Sequence, residues 1–274
     1  MHMTHDYARP LVVKYGGNAM AAEGRQIDDP VLAEVASLHR AGQAVVLVHG
    51  GGPEIDAALT ARGIRTTRVG GQRVTDAATL RVTEAVLCGT VNKRIVRSCA
   101  ALGIDAAGIS GVDGRTLLAR RAIGIDGEDL GFVGEISTVD TRLIETLLAS
   151  GFLPVVAPLA LSDTGADTLN VNADGAAGAV AAALQARALI LITNVRRVLR
   201  NPDDRSSGIA HLTPDEAVAF AQTNACRSSM KPKLIAAATA ARHATPAYIC
   251  PAKANGIDAA LKGDATIISQ SNRA

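Results

Sequence analysis

The chain holds 274 residues, 48% hydrophobic and 20% charged, with a mean hydropathy of +0.19, a balance that fills the core of one large or two modest domains and excludes a disordered or fibrous protein. A net charge of +2 and 2% aromatic residues without tryptophan offer neither a cationic face nor a base-stacking platform, so nucleic acid is not an expected partner. No apolar stretch reaches the length of a membrane span, MHMTHDYARP carries no apolar signal region, and Cys88, Cys99, Cys226 and Cys250 form no C-x-x-C pair; buried thiols in a reducing cytoplasm are expected.

In chain order, β-branched runs alternate with Ala/Leu-rich amphipathic segments, the pattern of βα units feeding a mainly parallel sheet. Strands are expected over 11–15, 44–49, 153–157, 188–193 and 246–249. Helical spacing marks 30–41, 53–62, 76–101, 140–150, 174–186 and 230–243. Segments 64–75 and 114–136 alternate and carry Gly and Asp, which predicts hairpins laid over the sheet as candidate lids. The polar, Pro-containing stretch 196–214 reads as a surface excursion near a boundary between two lobes, residues 1–186 and 187–274.

Three junctions concentrate the chemistry. VVKYGG (12–17) is a strand ending in glycines with Lys14 two positions ahead, and VVLVHGGGPEI (45–55) runs from a strand through three glycines to Pro53 at a first helical position. Glycines between strand and helix let backbone N–H groups approach an anion that the helix N-terminus also favours; close packing in tight βα turns is the alternative. In LNVNADGAAGAVAAAL (169–184), Asn170, Asn172 and Asp174 precede a helix, more polar groups than one cap requires. Lys231 and Lys233 open a later helix, a poor place for cations without an anion or carboxylate nearby. No Gly-Lys dipeptide gives a Walker A loop, no strand leads into G-x-G-x-x-G, and the His49-Gly50-Gly51-Gly52 run has no G-x-S-x-G partner to make a hydrolase.

Across nearly the whole chain, VVKYGGNAM, LVHGGGPEI, GQRVTD, GTVNKRIV, GISGVDG, GFVGEI, FLPVVAPLA and LNVNAD occur in an order that resembles the amino acid kinase family, specifically its branch acting on N-acetyl-L-glutamate. The resemblance implies a three-layer αβα sandwich around a central, mainly parallel sheet, with the amino acid in the N-terminal lobe and the nucleotide in the C-terminal lobe. It implies phosphoryl transfer from ATP, with Mg²⁺, to the γ-carboxylate of N-acetyl-L-glutamate, giving an acyl phosphate in arginine biosynthesis. By the same resemblance Lys14 neutralises the transferring group, Lys233 stabilises the leaving side, and Asp174 orients both. Gly16, Gly17, Gly50 and Gly51 match the glycine turns, Arg73 and Asn170 the acylamino-acid contacts, and Asn194 and Lys231 the nucleotide side. The chemistry is consistent: a carboxylate is already a nucleophile at neutral pH, so the difficulty is bringing an anion to a polyanion.

Departures fall in the nucleotide half, where Thr193-Asn194-Val195-Arg196-Arg197-Val198 replaces T-D-V-x-G-V and Ser228-Ser229-Met230 replaces Gly-Gly-Met. Two other readings stay open: a kinase for 2-aminoadipate or glutamate linked to an acidic carrier protein, and a non-catalytic amino-acid sensor. The resemblance also implies a homodimer, with helix 76–101 as its contact. The N-terminus is shorter than the extended helix of arginine-inhibited hexamers, so arginine feedback is not expected.

Overall fold

Strands buried on both faces read as continuous apolar runs, and LVVKY at Leu11–Tyr15 (β1) and VVLVH at Val45–His49 (β2) have no exposed residue. The computed structural model describes residues 9–16, 29–124, 126–165 and 167–270. After β1 come α1 (Pro30–Arg40), β2, α2 (Gly52–Ala61) and a hairpin of β3 (Arg68–Val69) and β4 (Gln72–Arg73). Helix α3 (Ala77–Glu84) continues through a π-helical segment, Ala85–Val91, into α4 (Asn92–Ala101). Then follow β5 (Ala106–Ser110), β6 (Leu117–Ile123), β7 (Asp129–Val139), α5 (Arg142–Ala149), β8 (Leu153–Ala157), β9 (Leu159–Ser162), β10 (Thr168–Val171) and α6 (Ala173–Ala183). The rest comprises β11 (Ala188–Thr193), β12 (His211–Leu212), α7 (Pro214–Ala221), α8 (Lys231–Arg242), β13 (Ala247–Pro251), α9 (Gly256–Leu261) and β14 (Thr266–Ile268).

Eight strands form one sheet in the order β12-β14-β13-β11-β1-β2-β8-β5. Its pairs from β13 to β5 are all parallel, while β14 runs antiparallel to β13. Alternation along each strand divides the core in two. Val12, Val46, Val48, Leu189 and Leu191 pack with α6 and α8 on one face. Leu11, Val13, Val45, Leu47 and Ile190 pack with α1, α2, α4 and α9 on the other. The expected three-layer sandwich is therefore the observed architecture.

The two hairpins also form, and their placement adds detail. Gly70 and Gly71 both have positive φ, 57° and 84°, the conformation a two-residue turn between β3 and β4 demands. Strands β6 and β7 pair antiparallel and close with β9 and β10 into a four-stranded barrel, so 114–136 belongs to a second small sheet and not to a free flap. Elements absent from the sequence expectations are β9, β10, β12, β14 and α9, whose few residues span too little of a period to register, together with β5, whose AAGIS carries one β-branched residue, and α7, which lies at the end of the polar stretch. The stretch 196–214 folds back on itself, with Ile209 N–H donating to Val198 O at 2.8 Å and Arg200 N–H to Ser207 O at 2.9 Å. It walls a cavity, which the reading as a surface excursion did not anticipate.

The alanines have a packing purpose. A Cβ on Gly178 of α6 would lie 2.7 Å from Ala236 O and 3.1 Å from Ala236 Cα of α8, so the two helices touch backbone to backbone. Buried Ala176, Ala177, Ala181, Ala237, Ala240 and Ala241 surround that contact. Close approach brings the N-terminal turns of α6 and α8 together.

Candidate active site

Those two turns carry Asp174 and Lys233. Asn172 caps α6 by accepting from the N–H groups of Asp174 (2.9 Å) and Gly175 (3.2 Å), which leaves the Asp174 carboxylate free to face outward from the first turn. Lys233 Nζ donates to Asp174 Oδ2 at 3.1 Å, and Lys14 Nζ, near the carboxyl end of β1, lies 3.0 Å from Oδ1. One buried carboxylate thus holds two cations that converge from different elements. Burial raises the Asp174 pKa, but the Lys14 and Lys233 charges outweigh it and hold the group below its ordinary value. Burial pushes the Lys233 ammonium down, against the opposing pull of Asp174. The carboxylate that the helix-opening lysines needed is Asp174 for Lys233. Lys231, half-buried at the first residue of α8, does not touch it.

Beside this triad a cavity of about 230 Å³ is lined by Lys14, Gly50, Gly51, Gly52, Arg73, Asn170 and Asp174, among others. Gly50 donates its own N–H to Tyr15 O at 2.9 Å, whereas the amides of Gly51 and Gly52, at the start of α2, make no hydrogen bond among the described residues. Gly16 packs against this turn so tightly that a Cβ would stand 2.6 Å from Gly50 N; its role is close packing, and it does not line the cavity. Gly17 lies outside the described residues. Asn170 Nδ2 donates to Thr75 Oγ1 at 3.3 Å across the cavity wall.

Arg73 is buried, and one of its nitrogens is already engaged. Its Nη1 lies 2.6 Å from Asp56 Oδ1 and 3.2 Å from Thr66 Oγ1, while Arg68 reaches Asp56 Oδ2 at 3.1 Å. A ligand carboxylate would meet the remaining guanidinium nitrogens. Asp56 was not among the expected site residues; it sits on α2, far in sequence from the hairpin it grips, and no local pattern marks such a pair.

A second cavity, of about 650 Å³, is walled by Asn194 through Leu199, by Arg205 and Gly208, and by Phe220, Arg227 and Met230. Asn194 lines it, and Lys231 adjoins it through Met230 without lining it. Four arginines, 196, 197, 205 and 227, line this space and no carboxylate does. Arg196 and Arg197 belong to the segment that departs from the family pattern in the sequence. Among the described residues no group of three His, Cys, Asp or Glu side chains could hold a metal ion, and no helix is long and apolar enough to cross a membrane.

A parallel sheet with cations gathered at the carboxyl ends of its strands is the setting in which α/β proteins bind phosphorylated ligands. Residues 9–251 match the amino acid kinase family, and the chain belongs to that family. Acetylglutamate kinases of Rubrobacter xylanophilus and Brevibacillus brevis are 44% and 41% identical over 88% and 83% of the chain, and over the same shares of their own lengths. That of Methanopyrus kandleri is 40% identical over 89% of the chain and 98% of its own. Among solved structures, N-acetylglutamate synthase from Neisseria gonorrhoeae complexed with coenzyme A and N-acetyl-glutamate superposes with a TM-score of 0.77 at 26% identity, covering 97% of this chain and 60% of that one. Carbamate kinase from Giardia lamblia bound to AMP-PNP, 16% identical with a TM-score of 0.67 over 96% of this chain and 99% of its own, shares the fold.

Proposed function

We propose that the protein transfers the γ-phosphoryl group of ATP to the γ-carboxylate of N-acetyl-L-glutamate, forming an acyl phosphate and ADP in arginine biosynthesis. The observation that carries this reading is Asp174, which lines the smaller cavity and bridges Lys14 and Lys233. In the reaction a carboxylate oxygen bonds to phosphorus as the bond from phosphorus to the β-phosphate oxygen breaks. No general base is required, because the nucleophile is already ionised. A carboxylate must nevertheless approach a polyphosphate, and two fixed ammonium groups and the Gly51 and Gly52 amides offset that repulsion without reorganising.

In this reading Lys14, which lines the smaller cavity, serves the acceptor side. Lys233 serves the leaving side, because α8 follows directly on Met230 in the wall of the larger cavity. Arg73 and Asn170 hold the acylamino acid, and Asn194, Lys231 and the cavity arginines hold the nucleotide. Mg²⁺ would be held chiefly by the nucleotide phosphates, since the one carboxylate at the centre, Asp174, is committed to two lysines. Residues 1–186 then form the amino-acid lobe and 187–274 the nucleotide lobe, in a cytoplasmic enzyme. A hydroxamate assay comparing N-acetylglutamate, N-acetyl-2-aminoadipate and free glutamate tests the assignment. Turnover of the first with Mg-ATP is expected; none would overturn it, and loss of Mg-ATP binding by calorimetry would favour a sensor.

A further inference from the structure

His49 ends β2 with a side chain that is 0% exposed, and both ring nitrogens have partners. Its Nδ1 lies 2.8 Å from Gly50 O. A carbonyl oxygen only accepts, so Nδ1 carries the hydrogen and Nε2 the lone pair. Asn92 Nδ2 supplies the matching N–H to Nε2 at 3.2 Å. The Asn92 amide cannot be the other way round, because its nitrogen faces three acceptors, His49 Nε2, Val155 O at 2.9 Å and Ile109 O at 3.3 Å, among which its two N–H groups are shared, while its oxygen accepts from Lys93 Nζ at 3.1 Å. A directed chain of hydrogen bonds therefore runs from Lys93 on α4 through Asn92 and His49 to the backbone of the glycine turn, touching β8 and β5 on the way.

That chain ends on one peptide plane. In a trans peptide the C=O and N–H point in opposite directions, so fixing Gly50 O against the buried His49 ring turns the Gly51 N–H the other way. The preceding peptide is fixed too, by Gly50 N–H donating to Tyr15 O. Gly51 itself lines the cavity beside Lys14 and Asp174. We infer that His49, held in its tautomer by Asn92, is a positioning residue that aims the Gly51 amide at the transferring phosphoryl group. A buried polar network is costly unless every member is satisfied, and an aliphatic side chain would fill this core position without that demand. Burial also keeps the ring neutral, its pKa lowered to about 4, so its hydrogen-bond roles do not change across the working pH range.

The inference rests on the kinase reading for the identity of the group presented to Gly51, and its test is separable from that reading. Asparagine places an N–H where Nδ1 stood, three atoms along from Cα, whereas glutamine places one where Nε2 stood. His49→Gln is expected to lower kcat by about 10²-fold, the scale of a misaimed catalytic group, with little change in KM for N-acetylglutamate; His49→Asn is expected to recover most of that loss, although both variants lower Tm. His49→Asn as slow as His49→Gln, or both near the wild-type kcat, would overturn the inference. Imidazole ¹⁵N spectra of the wild-type protein, which require no variant to fold and no turnover, are expected to show the Nδ1–H tautomer, and an Nε2–H tautomer would equally overturn it. Wild-type protein inactive on N-acetylglutamate would instead remove the kinase reading, leaving the tautomer and the effect of His49→Gln on the Gly51 amide signal to decide the role of His49, an unmoved signal counting against it.

Discussion

Lys14, Asp174 and Lys233 form a unit of two cations on one carboxylate, and its members differ in what their removal exposes. Lys14→Ala and Lys233→Ala are each expected to lower kcat by about 10²-fold or more, the scale seen when one preorganised donor leaves a transition state. Steady-state kinetics on either variant checks this, and a near-normal kcat would reject the assigned role. Arg73 acts differently, because a carboxylate clamp holds ground state and transition state alike. Arg73→Ala is expected to raise KM for the acylamino acid while changing kcat little. Asp56 would keep Arg68 as its partner, so the hairpin retains one ion pair to α2.

At the scale of elements, the contact of α6 with α8 sets the distance between Asp174 and Lys233. Gly178→Val puts a branched side chain where a Cβ already falls 2.7 Å from Ala236 O, so the helices must part. Overpacking of this kind costs about 1–3 kcal/mol. A drop in Tm together with a drop in kcat is expected, and a loss of Tm alone would show that the Lys233–Asp174 contact tolerates helix separation. The helical face of α3 to α4 illustrates the opposite outcome. Its apolar residues Leu80, Val82, Val86 and Leu87 are buried within one chain, so the broad apolar face seen in the sequence is explained without a partner. Ala77, Ala85, Gly89 and Thr90 remain exposed on it.

For the whole molecule, two consequences follow from groups buried in the core. The folded pKa of His49 is about 4 against an ordinary 6.5, so the folded protein binds fewer protons than the unfolded one between these values. Its contribution to stability is complete above pH 6.5 and is lost as pH falls toward 4, by at most about 1.4 kcal/mol per pH unit. Asp174, held below its ordinary value, adds a loss only at still lower pH. Chemical denaturation between pH 7 and 4.5 should therefore show falling stability that His49→Asn flattens; parallel curves for the two proteins would contradict the buried neutral ring. A homodimer is also proposed, through the small exposed residues of α3 and its continuation and the free edge of β5. Light scattering is expected to report near twice the 28.1 kDa of one chain, and a monomer would remove the proposal.

The layers of the sandwich, the five main strands and the six main helices were legible in the sequence because period and composition act over neighbouring residues. Lys14, Asn172 and the glycine run at 50–52 stood out for the same local reason: each breaks a pattern at the end of a strand or the start of a helix. What joins Asp174 to Lys233, Asp56 to Arg73 or Asn92 to His49 is separated by 59, 17 and 43 positions, and no local rule reaches so far. The closed barrel, the arginine wall of the larger cavity and the backbone contact at Gly178 likewise depend on which surfaces meet. The sequence determined the elements and the residue types available for phosphoryl chemistry, since those follow from local sterics, hydropathy and charge. Tertiary structure decided which charges share a carboxylate, which glycine N–H is free and which is spent, because burial and hydrogen-bond saturation are properties of the packed whole.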